Sequence, residues 1–126
     1  MNKKALIFGG SGQDGSYMCK FLLEKKYEII SVTRNLNKKS NHQKIKIKKG
    51  VLRKKINIYK KIEIEKLINS SQCDEIYFFS GQPSPLKSYK QPYETIISSI
   101  IPVYYILEVI KNSKKKIKFF NASSCE

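Results

Sequence analysis

The chain has 126 residues, about the size of one domain, and its 25 lysines and arginines against 10 aspartates and glutamates give a formal net charge of +15. Arginine stands only at positions 34 and 53 and the lysines are spread over the whole chain, many alternating with isoleucine. The charge therefore reads as a solubilising surface and disfavours a nucleic-acid partner, since bidentate reading of bases and phosphates favours arginine. The longest apolar stretch, Thr95 to Ile110, falls short of the ~18 to 20 residues that a bilayer requires and carries Pro102 and Glu108. The apolar run after "MNKK" is too short for a signal peptide, so a soluble, cytoplasmic protein with no membrane partner is expected.

In chain order, Lys4–Phe8 is expected as a buried strand that stops at glycine. Four glycines follow within seven positions, readable as Gly10-x-Gly12-x-x-Gly15 or as Gly9-x-x-Gly12-x-x-Gly15. Between a strand and a helix such glycines permit a tight turn, let the backbone approach a pyrophosphate, and let helix pack on strand without a Cβ between them. The helix start adds unpaired N–H groups and a positive dipole end, so this is a dinucleotide-binding signal in its proper context. The helix is expected over Ser16–Tyr27, with Met18, Phe21, Leu22 and Lys25 at helical spacing.

A second strand is expected at Glu28–Thr33. At its end, where an acidic side chain would bind the ribose hydroxyls of NAD, the chain reads Thr33-Arg34-Asn35. Arginine can pair with a 2′-phosphate, which favours NADP over NAD; the bland alternative is a solvent-exposed arginine. Lys44–Gly50 alternates strictly, with Ile45 and Ile47 inward and the lysines outward, and is expected as a third strand at a sheet edge. A helix follows within Ile56–Ser71, its boundary blurred by an Ile-x-Ile alternation, then a fourth strand at Glu75–Phe79, a loop, a helix over Tyr93–Asn112, and a fifth strand within Lys116–Ser123. Ile96 to Ile110 is apolar nearly all round and is expected to be covered on more than one face.

Three cysteines, Cys19, Cys73 and Cys125, are odd in number and widely spaced, and His42 lies in a polar run without a partner. Neither a metal site nor a disulfide framework is expected, and the thiols read as reduced. The alternation of strands and helices gives an α/β fold, a Rossmann-type doubly wound parallel sheet in the order 3-2-1-4-5, as one NAD(P)-binding domain over 1–126.

"KKALIFGGSGQDGSYMCKFLLEKKYEI", "DEIYFFSGQPSPLKSYKQPYET" and "FFNASSCE" together resemble the GDP-mannose 4,6-dehydratases of the extended short-chain dehydrogenase/reductase superfamily. The most specific element is "GQDGSY" followed by "FLLEKKYEI", because most relatives carry an apolar pair where Gln13 and Asp14 stand. The resemblance implies an enzyme that oxidises the mannosyl C4 hydroxyl of GDP-mannose with a tightly held NADP, eliminates water across C5 and C6, and returns the hydride to C6. It implies that Gly9, Ser11, Gly12, Gln13, Asp14 and Gly15 surround the pyrophosphate, that Arg34 holds the 2′-phosphate, and that Phe79 and Gly81 lie along the nicotinamide side. Ser124 matches the active-site threonine or serine at the sugar's C4 oxygen, and Glu126 the glutamate that acts as acid/base in the elimination. Leu52 falls in the cofactor site through "Gly-Asp-Leu", the family's adenine-binding segment after the third strand, matched here to Gly50-Val51-Leu52.

Several positions depart from the family pattern: Phe8 for a threonine, Val51 for the adenine-binding aspartate, Ser99 for an asparagine and Pro102 for a glycine. None of the eight tyrosines is followed by lysine four positions later, so the family's catalytic Tyr-x-x-x-Lys does not occur in the sequence. The chain is thus expected to be the N-terminal part of such an enzyme, cut short after the fifth strand, without the sugar-binding region and inactive by itself. In relatives the second face of the helix over Tyr93–Asn112 helps form a dimer's helix bundle, which implies a homo-oligomer through Ile97, Ile101, Tyr104 and Tyr105. The alternatives are another NAD(P)-dependent nucleotide-sugar epimerase or dehydratase, a diverged non-catalytic nucleotide-binding module, and a basic nucleic-acid binder.

Overall fold

Ala5, Leu6, Ile7 and Phe8 form an unbroken apolar run, which is stable as a strand only with both of its faces covered. All four are inaccessible to solvent at the centre of a five-stranded sheet. The computed structural model describes residues 1–36, 47, 49–81 and 85–123. In chain order its elements are β1 (Lys4–Phe8), α1 (Gln13–Glu24), β2 (Glu28–Thr33), β3 (Val51–Lys55), α2 (Lys61–Ser71), β4 (Glu75–Phe78), α3 (Pro85–Lys90), α4 (Pro92–Asn112) and β5 (Lys118–Asn121). The sheet is parallel throughout, in the order β3-β2-β1-β4-β5.

Strand alternation sends β1 side chains into two cores. Leu6 and Phe8 join Val32, Ile76 and Phe78 in the larger one, closed by Ile64, Leu67 and Ile68 of α2 and Ile106 and Val109 of α4. Ala5 and Ile7 join Ile29 in the smaller one, covered by Cys19 and Leu22 of α1. The two ends of the sheet differ in chemistry. At the end where the strands begin, the Lys4 N–H donates to Asp74 Oδ2 at 2.8 Å and Lys115 Nζ lies 3.0 Å from Asp74 Oδ1.

Four elements differ from the sequence expectation. The third strand is Val51–Lys55 and not Lys44–Gly50: Val51 pairs with Ile29 and Lys55 with Thr33, while Gly50 precedes the strand with φ +96°. Its edge position is as expected, and an edge tolerates Arg53, Lys54 and Lys55 because only one side is paired. Ile47 packs on the smaller core; Ile45, the lysines at 44, 46 and 48, and His42 lie outside the described residues.

Helix α1 starts at Gln13, and its buried stripe is Gly15, Ser16, Cys19 and Leu22, with Phe21 and Lys25 in solvent. Small side chains let it lie closer to β1 than a Met18–Phe21 face would permit. The expected loop after β4 contains α3, where Pro85 opens a helix as proline does at a first helical position. Helix α4 turns Pro102, Ile106 and Val109 inward and leaves Ile96, Ile100, Tyr104 and Leu107 exposed, so Ile97, Ile101 and Tyr105 are half-buried and not on its open face. By length and composition α4 could cross a membrane, yet here its inward side closes the larger core.

Candidate functional site

The chain leaves β1 through Gly9, whose φ of +79° is costly for any residue with a Cβ. A Cβ there would also lie 2.9 Å from the Phe79 carbonyl carbon and the Ser80 nitrogen, so the turn is pressed against the chain leaving β4. Gly12 N–H donates to the Gly9 carbonyl at 3.0 Å, and Ser16 N–H to the Gly12 carbonyl at 3.0 Å, which starts α1. Gly15 is buried in the first turn, and a Cβ on it would run into the Gly9 carbonyl oxygen. The helix can begin this close to the strand only without that atom.

No side chain caps the helix start, and among the described residues the N–H groups of Gln13, Asp14 and Gly15 find no acceptor. The helix dipole adds a partial positive charge at the same place. Ser11 Oγ, beside them, is buried without a hydrogen-bond partner among the described residues. A buried hydroxyl left unpaired is costly unless a ligand completes it. Bare amides, a dipole end and an orphan hydroxyl fit the pyrophosphate of a dinucleotide. Asp14 adds one exposed carboxylate to this turn. Cys19, packed below with Sγ 3.9 Å from the Gly10 carbonyl, is no nucleophile, because burial pushes its thiol up to about 12.

Beyond β2 the chain turns on Thr33, whose Oγ1 accepts the Asn35 N–H at 3.3 Å. This exposes Arg34 on the rim of a cavity of about 430 Å³, lined also by Lys55, Ile56, Asn57, Ile58, Tyr59 and Glu63. Asn57 Oδ1 accepts the Tyr59 N–H at 3.0 Å, an Asx turn, and the Asn57 N–H donates to Glu63 Oε2 at 2.6 Å. Ile58 is buried in the larger core and anchors the segment.

Leu52 is not part of this group. It lies on β3 opposite Ile30 with 56 % of its surface exposed, and Val51 packs beside the smaller core. The reason is register: Gly50 comes before the third strand, so the residues that follow that strand are Ile56-Asn57-Ile58.

At the end of β4 the Phe79 N–H donates to the Phe8 carbonyl at 2.8 Å, and the half-buried Phe79 ring meets Phe120 at 6.0 Å. Gly81 follows two residues later at φ +146°. Both lie at the edge where the strands end, the same edge as the glycine turn and the Arg34 cavity. Doubly wound sheets place their ligands there. β5 ends at Asn121, and Ser124, Cys125 and Glu126 lie outside the described residues.

The family model for GDP-mannose 4,6 dehydratase matches residues 6–126. The chain belongs to that family. It is 34% identical over its whole length to the GDP-mannose 4,6-dehydratase of Vibrio cholerae serotype O1, of which it covers 36%. It is 31% identical over 99% of its length to the GDP-mannose 4,6 dehydratase of Drosophila melanogaster, of which it covers 34%. The chain therefore spans about a third of these relatives and is an N-terminal part of such a protein.

Among solved structures, a UDP-Glc/GlcNAc 4-epimerase from Campylobacter jejuni superposes with a TM-score of 0.84 over 98% of this chain and 38% of its own, at 19% identity. A UDP-glucose 4-epimerase from Bifidobacterium longum, in complex with NAD+ and UDP, gives 0.82 at 23% identity over 98% of this chain and 37% of its own. At that identity they show the shared Rossmann-like fold.

The turn after the third strand holds Asn57, a neutral amide, followed by the aliphatic Ile58. The signal for it was present in the sequence: a small polar residue favoured in turns, flanked by apolar ones just ahead of a helix.

Proposed function

We propose that the chain is the NADP-holding part of an enzyme that converts GDP-mannose to its 4-keto-6-deoxy form. The observation that carries this is the turn from β1 to α1, whose bare amides and orphan Ser11 hydroxyl share one sheet edge with Arg34 and Asn57. In this reading Gly9, Ser11, Gly12, Gln13, Asp14 and Gly15 surround the pyrophosphate, Asn57 meets the adenine, and Arg34 meets a 2′-phosphate. Phe79 and Gly81 flank the nicotinamide, Ser124 hydrogen-bonds the sugar's C4 oxygen, and Glu126 acts as acid/base. The cofactor, when bound, supplies a hydride acceptor for C4 and a donor for C6. The relatives' names support GDP-mannose as the sugar. The absence of an acidic residue after β2 supports NADP over NAD.

The test is titration of the chain with NADPH and NADH. The expected result is binding of both, tighter for NADPH by at least about tenfold, since one charge-assisted phosphate contact alone is worth that much. Equal affinities, or no change in NADPH affinity on Arg34→Ala, would contradict the assignment.

These 126 residues contain no Tyr-x-x-x-Lys, and general base catalysis is typically worth ~10² to 10⁴ in rate. Incubated alone with GDP-mannose and NADP, the chain is expected to give no product above the protein-free control; product that Ser124→Ala abolished would overturn this. Ile96, Ile100, Tyr104 and Leu107 form an apolar stripe on α4, and we include in the proposal that it pairs with a second copy. Sedimentation should show self-association that Ile100→Glu removes, and a monomer at high concentration would refute it. The proposed setting is the cytoplasm, in keeping with the free, buried thiols of Cys19 and Cys73.

A further inference from the structure

We propose that Lys55 is a second specificity-determining residue for the phosphorylated cofactor, holding the 2′-phosphate together with Arg34. The inference rests on the proposed binding of NADP. Lys55 is the last residue of β3 and stands opposite Thr33, the residue before Arg34. Adjacent strands lie about 4.8 Å apart, so the two cations stand at neighbouring strand ends. Both line the same cavity and both are exposed. Among the described residues neither side chain is held in an ion pair or a hydrogen bond.

The charge balance of the cavity calls for two cations. Glu63 brings one carboxylate to its wall and holds the Asn57 N–H with it. A phosphate monoester adds a charge of about −1.5 to −2 at neutral pH. One arginine beside a fixed carboxylate leaves most of that charge uncompensated. Lys55 supplies a second cation to the same cavity, and a compact point charge suits a phosphate. Its neighbour Lys54 projects to the opposite face of the strand and does not line the cavity.

The experiment measures NADPH and NADH affinity by titration for the unaltered chain and for Lys55→Gln, Arg34→Gln and Lys54→Gln. Lys54→Gln removes the same unit of charge from the same strand and so reports the general effect of a less basic surface. In Lys55→Gln the preference for NADPH over NADH is expected to fall about tenfold with NADH affinity unchanged, which also shows that the variant is folded. Lys54→Gln is expected to leave the preference unchanged. If the unaltered chain prefers NADPH, Arg34→Gln removes that preference and Lys55→Gln does not, the role of Lys55 is refuted while the NADP assignment stands. If Lys55→Gln weakens both cofactors equally, or no more than Lys54→Gln, Lys55 acts as general surface charge and the inference is likewise refuted. If the unaltered chain binds neither cofactor, or both alike, the proposed function itself fails.

Discussion

The glycine turn and the Arg34 cavity lie on the same sheet edge but are specified in opposite ways. The turn is made of backbone: Gly9 sits where a Cβ is excluded by conformation and by Phe79, and Gly15 where it is excluded by the Gly9 carbonyl. The cavity is made of side chains on a strand end and the turn after it, with Arg34, Lys55 and Asn57 exposed and Ile58 alone driven deep into the core. A ligand site built from backbone constraints cannot be altered without altering the fold. One built from exposed side chains can change specificity while the fold stays as it is.

Substituting valine for Gly15 attacks the first kind of site and should have the largest effect. Forced overpacking against backbone costs about 3 kcal/mol, and α1 can no longer start where its amides face the edge. Urea denaturation should show that loss, NADPH binding should vanish, and Cys19, whose thiol is buried under the turn, should become open to alkylation. Gly12→Ala should cost less, since a Cβ there lies 3.3 Å from the Gly9 oxygen, a contact that small shifts relieve.

Ile58→Ala attacks the anchor of the second site. Removing a nearly buried isoleucine costs about 2 to 3 kcal/mol, measurable as a lower denaturation midpoint. Because the turn is untouched, Cys19 should stay protected from alkylation under native conditions. Protection lost in both variants would erase the distinction between the two regions.

How much of each region the sequence reveals follows from the same distinction. Gly9, Gly12 and Gly15 are legible because the constraint is local and only one residue type meets it. β1, β2 and β4 are legible as apolar runs flanked by turn residues. The cavity is not, because its place depends on the register of β3: Ile and Lys alternate before Gly50 with the period of an edge strand, while the strand that pairs with β2 is Val51–Lys55, which shows no such alternation. That shift leaves Val51-Leu52 inside the strand and puts Asn57-Ile58 in the turn after it. The stripe of α1 was misplaced for a related reason, since Gly15 and Ser16 look too small to define a face until close packing on β1 is seen. Helix α3 was hidden by Pro85, which breaks a helix from within but starts one at its first turn.

A smaller effect should come from Glu63→Gln. It weakens the hydrogen bond that the Asn57 N–H makes to a carboxylate, by about 1 kcal/mol. Stability should fall by about that much and NADH affinity several-fold, with NADPH affinity falling less because the carboxylate facing the 2′-phosphate is gone; a change confined to stability would remove Asn57 from the site.

The smallest effect lies at the far end of the sheet, where the Lys4 N–H and then Lys115 hold the Asp74 carboxyl below its ordinary 3.8. A carboxyl whose folded pKa is depressed stabilises the fold above its unfolded value and loses that contribution as pH falls through the folded one. Between pH 5 and about pH 2 the unaltered chain should therefore lose more stability than Asp74→Asn, by at most about 1 kcal/mol because the group is a third exposed. Cofactor affinity at neutral pH should be the same in both.

The most direct test of the central claim is hydrogen exchange of backbone amides with and without saturating NADPH. One dinucleotide held by both regions should slow exchange at Gln13, Asp14 and Gly15 and, at the same cofactor concentration, at Asn57 and Tyr59, with the amides of α2 beyond Glu63 unaffected. Protection of only one region, or of neither, would contradict the account.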